Sequence, residues 1–261
     1  MSRYYRSFLE ESGSSYTPRT TAFATATAIT DTTILNALNT FDLGLISNGL
    51  DTKMKAVYPF VGSTATTQKF NFMDARDLDV AFRLSFNGGW THSANGIQGN
   101  ATNTYANTFL SPYGTLGLNS SHFSIYSRTN IPNSLMFDMC TNFAQTFSLA
   151  TSFSANTTWF QINQNFDYSK LTDTDSLGFR LISRLSSTQE KLYKNNSLLG
   201  TVSVSSASQA GTIEIGRYIG GGYYSSKQYS FSSIGNGLTD SEETIFYNLV
   251  QAMQTTLSRQ V

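Results

Sequence analysis

The feature that most constrains this chain is a long series of short, strand-like runs separated by turn residues. Between Lys53 and Gly237, apolar and aromatic residues recur in runs of about four to eight, and Gly, Asn and Ser fill the breaks. Little of this region has the 3.6-residue period of a helix. The spacing predicts a mainly β protein, an antiparallel β-sandwich or jelly roll. The predicted strands are residues 54–60, 69–72, 80–86, 123–128, 136–139, 158–162, 178–183, 191–194, 197–204, 212–217 and 229–234.

The run over residues 80–86 shows the period-two alternation of a half-buried strand clearly. Its larger apolar residues fall on one face: Val80, Phe82, Leu84 and Phe86. The prolines lie outside the centres of the predicted strands, as they must because proline cannot donate to a ladder.

Two segments switch to a helical period. One helix is predicted to begin near Asp31, a good N-cap type, and to stop at Asn48. The second is predicted over residues 240–258, because Thr239 and Glu242 form a capping box ahead of apolar residues at helical spacing. We expect this C-terminal amphipathic helix to pack on the β layer.

The first thirty residues contain too little apolar area for a core of their own. We predict a docking arm that is extended when alone and orders only when a partner receives it. Its anchors would be Tyr4, Tyr5, Phe8 and Phe23. A floppy terminus is the alternative. The predicted organisation is therefore an arm with a short helix over residues 1–50 and a β domain over residues 51–261.

Composition excludes several classes of function. Lys and Arg total 17 and Asp and Glu total 17, so no basic excess exists to bind nucleic acid electrostatically. Cys140 is the only cysteine, which excludes a disulfide framework and a zinc module. No stretch approaches the roughly 20 apolar residues of a membrane span, and none near the start resembles a secretory signal. The 35 Ser, 33 Thr and 20 Asn predict a polar, uncharged surface.

The C-terminal half carries a more specific pattern. Residues 191–200 form a hairpin that turns at Asn195-Asn196, residues 213–216 form an Ile-x-Ile-Gly strand, and residues 231–235 lead into the capped helix. In this order they resemble the concanavalin A-like, laminin-G-type jelly roll.

The central block extends the resemblance. Together with Phe179 and residues 233–240 and 254–261, its motifs resemble, in order, uncharacterised laminin-G-like proteins encoded by tailed bacteriophages and their prophages, and the resemblance spans roughly residues 31–261. The motifs are residues 54–62, 69–71, 76–79, 81–83 and 86–93. This resemblance implies a non-enzymatic virion structural protein in the tail, a fibre or the head decoration. It would be made in the host bacterial cytoplasm, form a homo-oligomer and dock on other virion proteins through its arm.

Relatives of this fold often bind calcium, which needs six to eight oxygen ligands. Asp173 and Asp175 are the candidates here, but they bring no further acid. A second acidic group, Asp74, Asp77 and Asp79, has Arg76 and Arg83 beside it. We predict structural ion pairing for both groups, with no metal and no cofactor.

The chain lacks the signatures of an enzyme. Jelly-roll glycosidases need two carboxylates on one strand face, and no Glu-x-Asp-x-x-Glu motif is present. His92 and His122 are the only histidines, and neither lies in a triad motif. We interpret Cys140 as a small residue of the core. We therefore predict no enzymatic activity.

Aromatic residues in loops are the remaining candidates for recognition. Trp90, Tyr223 and Tyr224 could stack on sugar rings or fill a protein interface, and core packing and turn closure are the alternative. The second functional hypothesis is thus a carbohydrate-binding module for host-surface recognition, which is compatible with a place in a virion.

Overall fold

The computed structural model describes residues 16–143, 146–164, 168–218, 220 and 222–261. Its helices are α1 (Pro18–Thr27), α2 (Thr32–Ser47), the short α3 (Ala65–Gln68) and α4 (Pro112–Thr115), and α5 (Asp240–Thr256), with a 3-10 turn at Asp79–Ala81. The strands are β1 (Met54–Tyr58), β2 (Ser85–Asn87), β3 (Thr91–Ser93), β4 (Gly96–Gln98), β5 (Tyr105–Asn107), β6 (Ser121–Ser127), β7 (Met139–Thr141), β8 (Phe147–Ser154), β9 (Thr157–Ile162), β10 (Ser169–Thr172), β11 (Gly178–Arg184), β12 (Gln189–Lys194), β13 (Ser197–Ser203), β14 (Ile213–Ile215), β15 (Arg217–Tyr218), β16 (Tyr223–Tyr224) and β17 (Gln228–Gly235).

The strands form two large antiparallel sheets. The first sheet has the order β13-β12-β11-β6-β17-β4-β3, and β1 also pairs with β17. The second sheet has the order β10-β9-β8-β7-β14-β5-β2, and β15 and β16 form a separate hairpin. The predicted mainly β, antiparallel sandwich is confirmed.

The main core lies between the two sheets. Phe123 and Ile125 of β6 face Phe160 of β9 and Ile215 of β14 in one buried cluster. Successive residues of a strand point to opposite faces. Tyr126, the next residue of β6, therefore belongs to a second cluster on the outer face of the first sheet.

The long helices cover that outer face. Phe41 of α2 and Phe246 of α5 pack with their ring centroids 6.2 Å apart, and each also contacts Phe231 of β17. The chain is thus layered as helices, first sheet and second sheet. Among the described residues, no helix is long and apolar enough to cross a bilayer.

The predicted helix starts are confirmed by their caps. The Asp31 side chain accepts hydrogen bonds from the backbone at the start of α2. Thr239 and Glu242 form the reciprocal capping box of α5, which satisfies two backbone donors that a helix start leaves without partners. Helix α5 ends at Thr256, two residues before the predicted end.

The predicted turn at Asn195-Asn196 is also confirmed. Both residues have positive φ, 46° and 66°, between Lys194 and Ser197, which pair across the β12–β13 hairpin. Asn tolerates this left-handed conformation better than most residues do, so the two adjacent Asn residues were enough to predict this turn.

The predicted strand over residues 80–86 is wrong for most of its length. A 3-10 turn occupies Asp79–Ala81, Phe82 has a φ of 59°, and only Ser85–Asn87 is a strand. The Tyr58 hydroxyl donates to the Phe82 carbonyl at 2.7 Å, and Val80 is 73% exposed. The alternation of apolar residues was therefore not that of a strand, because tertiary contacts stabilise a turn here.

The strand predictions also fail at other places, either because a predicted strand is absent or because an observed strand was not predicted. Residues 69–72 contain only an isolated bridge between Asn71 and Asp74. The Asn71 side chain accepts from the Val57 backbone and donates to the carbonyls of Lys55 and Ala81, in place of a regular ladder. Strand β8 was not predicted, because its Ser and Thr residues obscure the apolar pattern.

The extended arm is wrong over the part that the structure describes. Residues 18–27 form helix α1, which begins with Thr17 as N-cap and Pro18 in the first turn. Phe23 is fully buried in the second cluster, with its ring centroid 5.4 Å from that of Phe72. Burial within its own chain orders this segment, so it needs no partner for that.

Candidate functional site

In the part of the chain that the structure describes, six aromatic side chains gather on the outer face of the second sheet, the face opposite to the main core. We call this group the aromatic cluster. Its members come from β9 and the β15–β16 hairpin and from positions next to or within other strands. They are Phe137, Phe153, Trp159, Tyr168, Tyr218 and Tyr223.

Direct ring contacts connect the cluster. The Phe137 ring stacks on that of Tyr218 at 4.9 Å between centroids and meets that of Phe153 edge-on at 5.2 Å. The Trp159 ring lies 4.6 Å from the Phe153 ring and 5.5 Å from the Tyr168 ring. Such separations are typical of favourable aromatic pairs. The six rings therefore form one continuous surface rather than separate anchors.

Exposure divides the cluster into a floor and a rim. Phe137 and Phe153 are buried. Trp159, Tyr168 and Tyr218 are half-buried, and Tyr223 is 37% exposed. The floor holds the rings in place, while the rim presents aromatic surface to the solvent.

Strand register explains why Trp159 points outward. Its neighbour Phe160 faces the main core, so Trp159 must face the opposite side of β9. There it pairs with Ala150 of β8 and Lys170 of β10, and Ala150 is buried together with Phe137 and Phe153. The Lys170 ammonium lies 4.1 Å from the centroid of the Trp159 ring, in a cation–π contact.

A polar region adjoins the aromatic cluster across β14 and β5. The Arg217 guanidinium donates to both oxygens of Glu214, at 2.5 and 3.0 Å, and lies 3.4 Å from the centroid of the Tyr105 ring. The half-buried Asn107 lies beside Glu214 in the register of the sheet. Aromatic and hydrogen-bonding groups therefore share one face.

A buried ion pair lies under the aromatic cluster. Asp138 directly follows Phe137, and Lys227 follows the β15–β16 hairpin by three residues. The Lys227 ammonium is 3.1 Å from an Asp138 oxygen and also donates to the carbonyl of Thr151 at 2.9 Å. Burial lowers the pKa of Lys227, and the Asp138 carboxylate opposes that effect.

The base of the hairpin requires a glycine. Gly216 has a φ of +90°, and a Cβ at this position would come within 2.8 Å of the Trp90 ring. The Ser225 backbone donates to the Gly216 carbonyl at 2.8 Å and closes the hairpin. This close approach positions Tyr218 and Tyr223 over the sheet.

The structure separates the three aromatic residues that the sequence suggested. Tyr223 is in the aromatic cluster, whereas Trp90 packs against the main core beside Phe86, with its indole nitrogen buried. Tyr224 pairs with Arg217 across the hairpin. The core-packing alternative describes Trp90, and the surface hypothesis fits Tyr223.

Most of the aromatic cluster was missed from the sequence. One usable signal was available: Trp159 alternates with the apolar Phe160 and Ile162 in a predicted strand, which puts an aromatic residue on the solvent face. Phe153 lies in the strand that was not predicted. Tyr168 and Tyr218 lie outside or at the end of the predicted strands, where no local pattern assigns them a neighbour.

The two Asp residues considered as calcium ligands form ion pairs with basic side chains of the protein itself. The Asp173 side chain is fully buried, and Arg180 donates to both of its oxygens at 2.9 and 3.0 Å. Lys194 bridges Asp173 and Asp175 at 2.9 and 2.6 Å. These carboxylates serve as partners of basic side chains, which is the structural use that the sequence favoured.

The second acidic group is arranged in the same way. Lys69 and Arg83 bond to Asp77 and hold its pKa below the usual value, while Arg83 also pairs with Asp79. Arg76 pairs with Asp74 at 2.5 Å. No group of three acidic, His or Cys side chains suited to a metal occurs among the described residues.

The remaining candidates of the sequence analysis lie elsewhere. Burial raises the pKa of the Cys140 thiol to about 12, so the thiol stays protonated at neutral pH and is a poor nucleophile. His92 bonds Gln68, and His122 is buried against Asn236. Of the predicted arm anchors, Phe23 lies in the second cluster, and the other three lie outside the described residues: Tyr4, Tyr5 and Phe8.

Comparison with known proteins supports the fold. The sequence matches no protein-family model, and no curated protein is significantly similar to it. The chain is similar to a structure of botulinum neurotoxin type C, with a TM-score of 0.54 at 12% identity. Cell entry of that neurotoxin depends on interaction with two ganglioside molecules. That match covers 78% of this chain and 53% of the neurotoxin chain.

Two further structures are similar. The binding domain of botulinum neurotoxin DC in complex with rat synaptotagmin II has a TM-score of 0.52 at 12% identity, over 77% of this chain and 52% of that one. Domain 4 of an extracellular arabinanase from Geobacillus stearothermophilus, in complex with arabinotriose, has a TM-score of 0.46 at 13% identity, over 74% and 98%. This chain spans about half the length of the neurotoxin chains, and the similarity to them shows a shared β-sandwich fold.

Proposed function

We propose that this chain is a carbohydrate-binding β-sandwich that acts by binding rather than by catalysis, with the aromatic cluster as its sugar-binding surface. The observation that carries the proposal is the exposed rim of the cluster, where Trp159, Tyr168, Tyr218 and Tyr223 present ring surface on one face of the second sheet. Aromatic side chains with one apolar face and one polar edge suit sugars, which are also apolar on one side and polar at their rims.

The polar region beside the aromatic cluster supports the same assignment. A saccharide that stacks on the rim would place its hydroxyl groups towards Asn107, Tyr105 and the Arg217–Glu214 pair. Small-molecule sites commonly combine apolar surface with a few polar groups that fix orientation.

The fold comparison is compatible with this proposal. One similar neurotoxin structure concerns interaction with gangliosides, which carry sugars, and another is a complex with the protein synaptotagmin II. About half of each neurotoxin chain has no counterpart here, so the ligand of this chain must be argued from its own residues. The virion role implied by the sequence resemblance stays a prediction, and a glycan-binding protein could also be part of a virion.

A glycan array followed by calorimetry tests the proposal. We expect the wild type to bind at least one glycan class, and Tyr223→Ala to weaken binding by about tenfold or more, the loss typical of a binding hot spot. Tyr223→Phe should retain most of the affinity, because it keeps the ring.

Tyr113→Ala is the matched control. Tyr113 is 75% exposed and lies outside the aromatic cluster, so its removal should leave affinity unchanged. Failure of the wild type to bind any glycan on a broad array would contradict the proposal. Binding that is insensitive to Tyr223→Ala would also contradict it, because the sugar would then sit elsewhere.

A further inference from the structure

The charges around the aromatic cluster are unevenly compensated. Within the described part of the chain, two carboxylates belong to this region, and each has a cation of its own: Asp138 pairs with Lys227, and Glu214 pairs with Arg217. Lys170 is different. Among the residues that the structure describes, its ammonium contacts the Trp159 ring and no carboxylate. The described part of this surface therefore carries one surplus positive charge.

The position of Lys170 makes this charge available to a ligand. Lys170 is exposed and lies on β10, the edge strand of the second sheet, directly opposite Trp159 in the register. A lysine ammonium is a compact charge on a flexible four-carbon chain, so it can turn from the ring towards a nearby anion. As long as no anion is bound, the contact with Trp159 keeps the ammonium at the rim of the aromatic cluster.

From this arrangement we propose that the preferred ligand is an acidic saccharide, one whose sugar ring stacks on the aromatic cluster and whose carboxylate pairs with Lys170. The inference rests on the proposed function and names its ligand class. An ammonium–carboxylate hydrogen bond is stronger than a neutral one and discriminates against ligands that lack the charge. Asp138 and Glu214 would not repel such a ligand, since their charges are neutralised by Lys227 and Arg217.

The test is an array on which carboxylate-bearing glycans are printed beside their carboxyl-reduced counterparts, so that each pair differs only in the acid group. We expect the wild type to bind the acidic member about tenfold more tightly. Raising the salt concentration should weaken binding of the acidic member and leave the reduced member unaffected, because salt screens exposed charges.

Three variants locate the effect. Lys170→Gln should bring the two members of each pair to similar affinity, and Lys170→Glu should reverse the preference. Lys55→Gln is the matched control, since Lys55 lies on β1 of the other sheet and its loss removes the same formal charge. Its preference should equal that of the wild type.

The outcomes separate the two proposals. Equal binding of acidic and reduced glycans by the wild type, lost in Tyr223→Ala, would overturn the acidic preference and leave carbohydrate binding intact. A preference for acidic glycans that survives in Lys170→Gln would also overturn the inference. Failure to bind any glycan would overturn the proposed function and the inference together.

Discussion

The ammonium of Lys227 lies 3.1 Å from the carboxylate of Asp138, and both side chains are fully buried. Asp138 also accepts hydrogen bonds from the Tyr229 hydroxyl and the Thr151 backbone, each at 2.7 Å. This single polar group joins the segments that carry Phe137, Phe153 and Tyr223. The surface proposed to bind sugar is therefore held in place by a buried charge pair.

Replacing Asp138 by Asn should be strongly destabilising. The variant leaves the Lys227 ammonium buried without a counter-charge, and breaking a buried pair in this way typically costs about 3–5 kcal/mol. Urea unfolding at pH 7 measures the loss. The control is Asp79→Asn, which removes an exposed partner of Arg83 and should change stability little. Similar losses in the two variants would show that the buried pair is not important for folding.

The floor and the rim of the aromatic cluster should separate stability from binding. Phe137 is 2% exposed and contacts four other rings, so Phe137→Ala should lower the free energy of unfolding by about 3–5 kcal/mol. Tyr223→Ala removes a side chain that is 37% exposed and should cost about 1 kcal/mol or less. Chemical denaturation of both variants checks this. A large loss in Tyr223→Ala would mean that its effect on binding cannot be separated from folding.

His122 should make the fold sensitive to acid. Its Nδ1 lies 2.5 Å from the Asn236 carbonyl, which can only accept, so Nδ1 carries a proton. Burial lowers the pKa of His122 from 6.5 to about 4. Between these values the unfolded chain binds a proton that the folded chain does not. The contribution of His122 to the free energy of unfolding is therefore fully present above pH 6.5. It decreases by about 1.4 kcal/mol per pH unit as the pH drops towards 4.

Two measurements check the behaviour of His122. The difference in unfolding free energy between the wild type and His122→Gln should shrink from pH 7 to pH 4.5. The imidazole resonance of His122, assigned by comparison with His92→Gln, should show no protonation near pH 6.5. Titration of His122 at an ordinary pKa would contradict the prediction.

Helix α1 should be part of the folded unit rather than a separable arm. Phe23→Ala removes a fully buried ring from the second cluster, and we expect a loss of about 3–5 kcal/mol with faster hydrogen exchange over residues 18–27. Thr25→Ala, on the exposed face of the same helix, should cause no loss. For the same reason, deletion of residues 1–30 should destabilise the protein. Full stability after that deletion would restore the idea of an independent docking arm.

Local chemistry accounts for the features that could be predicted. Thr239 and Glu242 lie three residues apart, Asn195 and Asn196 are adjacent, and the first contacts of each cap or turn fall within a few residues. Such interactions depend only on residues that are close in the sequence, so the helix starts and this hairpin could be predicted from the sequence. The run over residues 80–86 failed because a distant hydroxyl, that of Tyr58, stabilises a turn there.

The sequence by itself determined a neutral, strand-rich chain with a capped C-terminal helix, because alternation, turn residues and caps are local properties. Only the tertiary structure decided where the site lies. Phe137 and Tyr223 meet because β7 is placed beside β8 and β14 in the second sheet and the β15–β16 hairpin folds over it. Contacts between residues so far apart in the chain depend on strand order, which no local pattern specifies. The same order brings Lys170 opposite Trp159 and turns scattered aromatic residues into one surface.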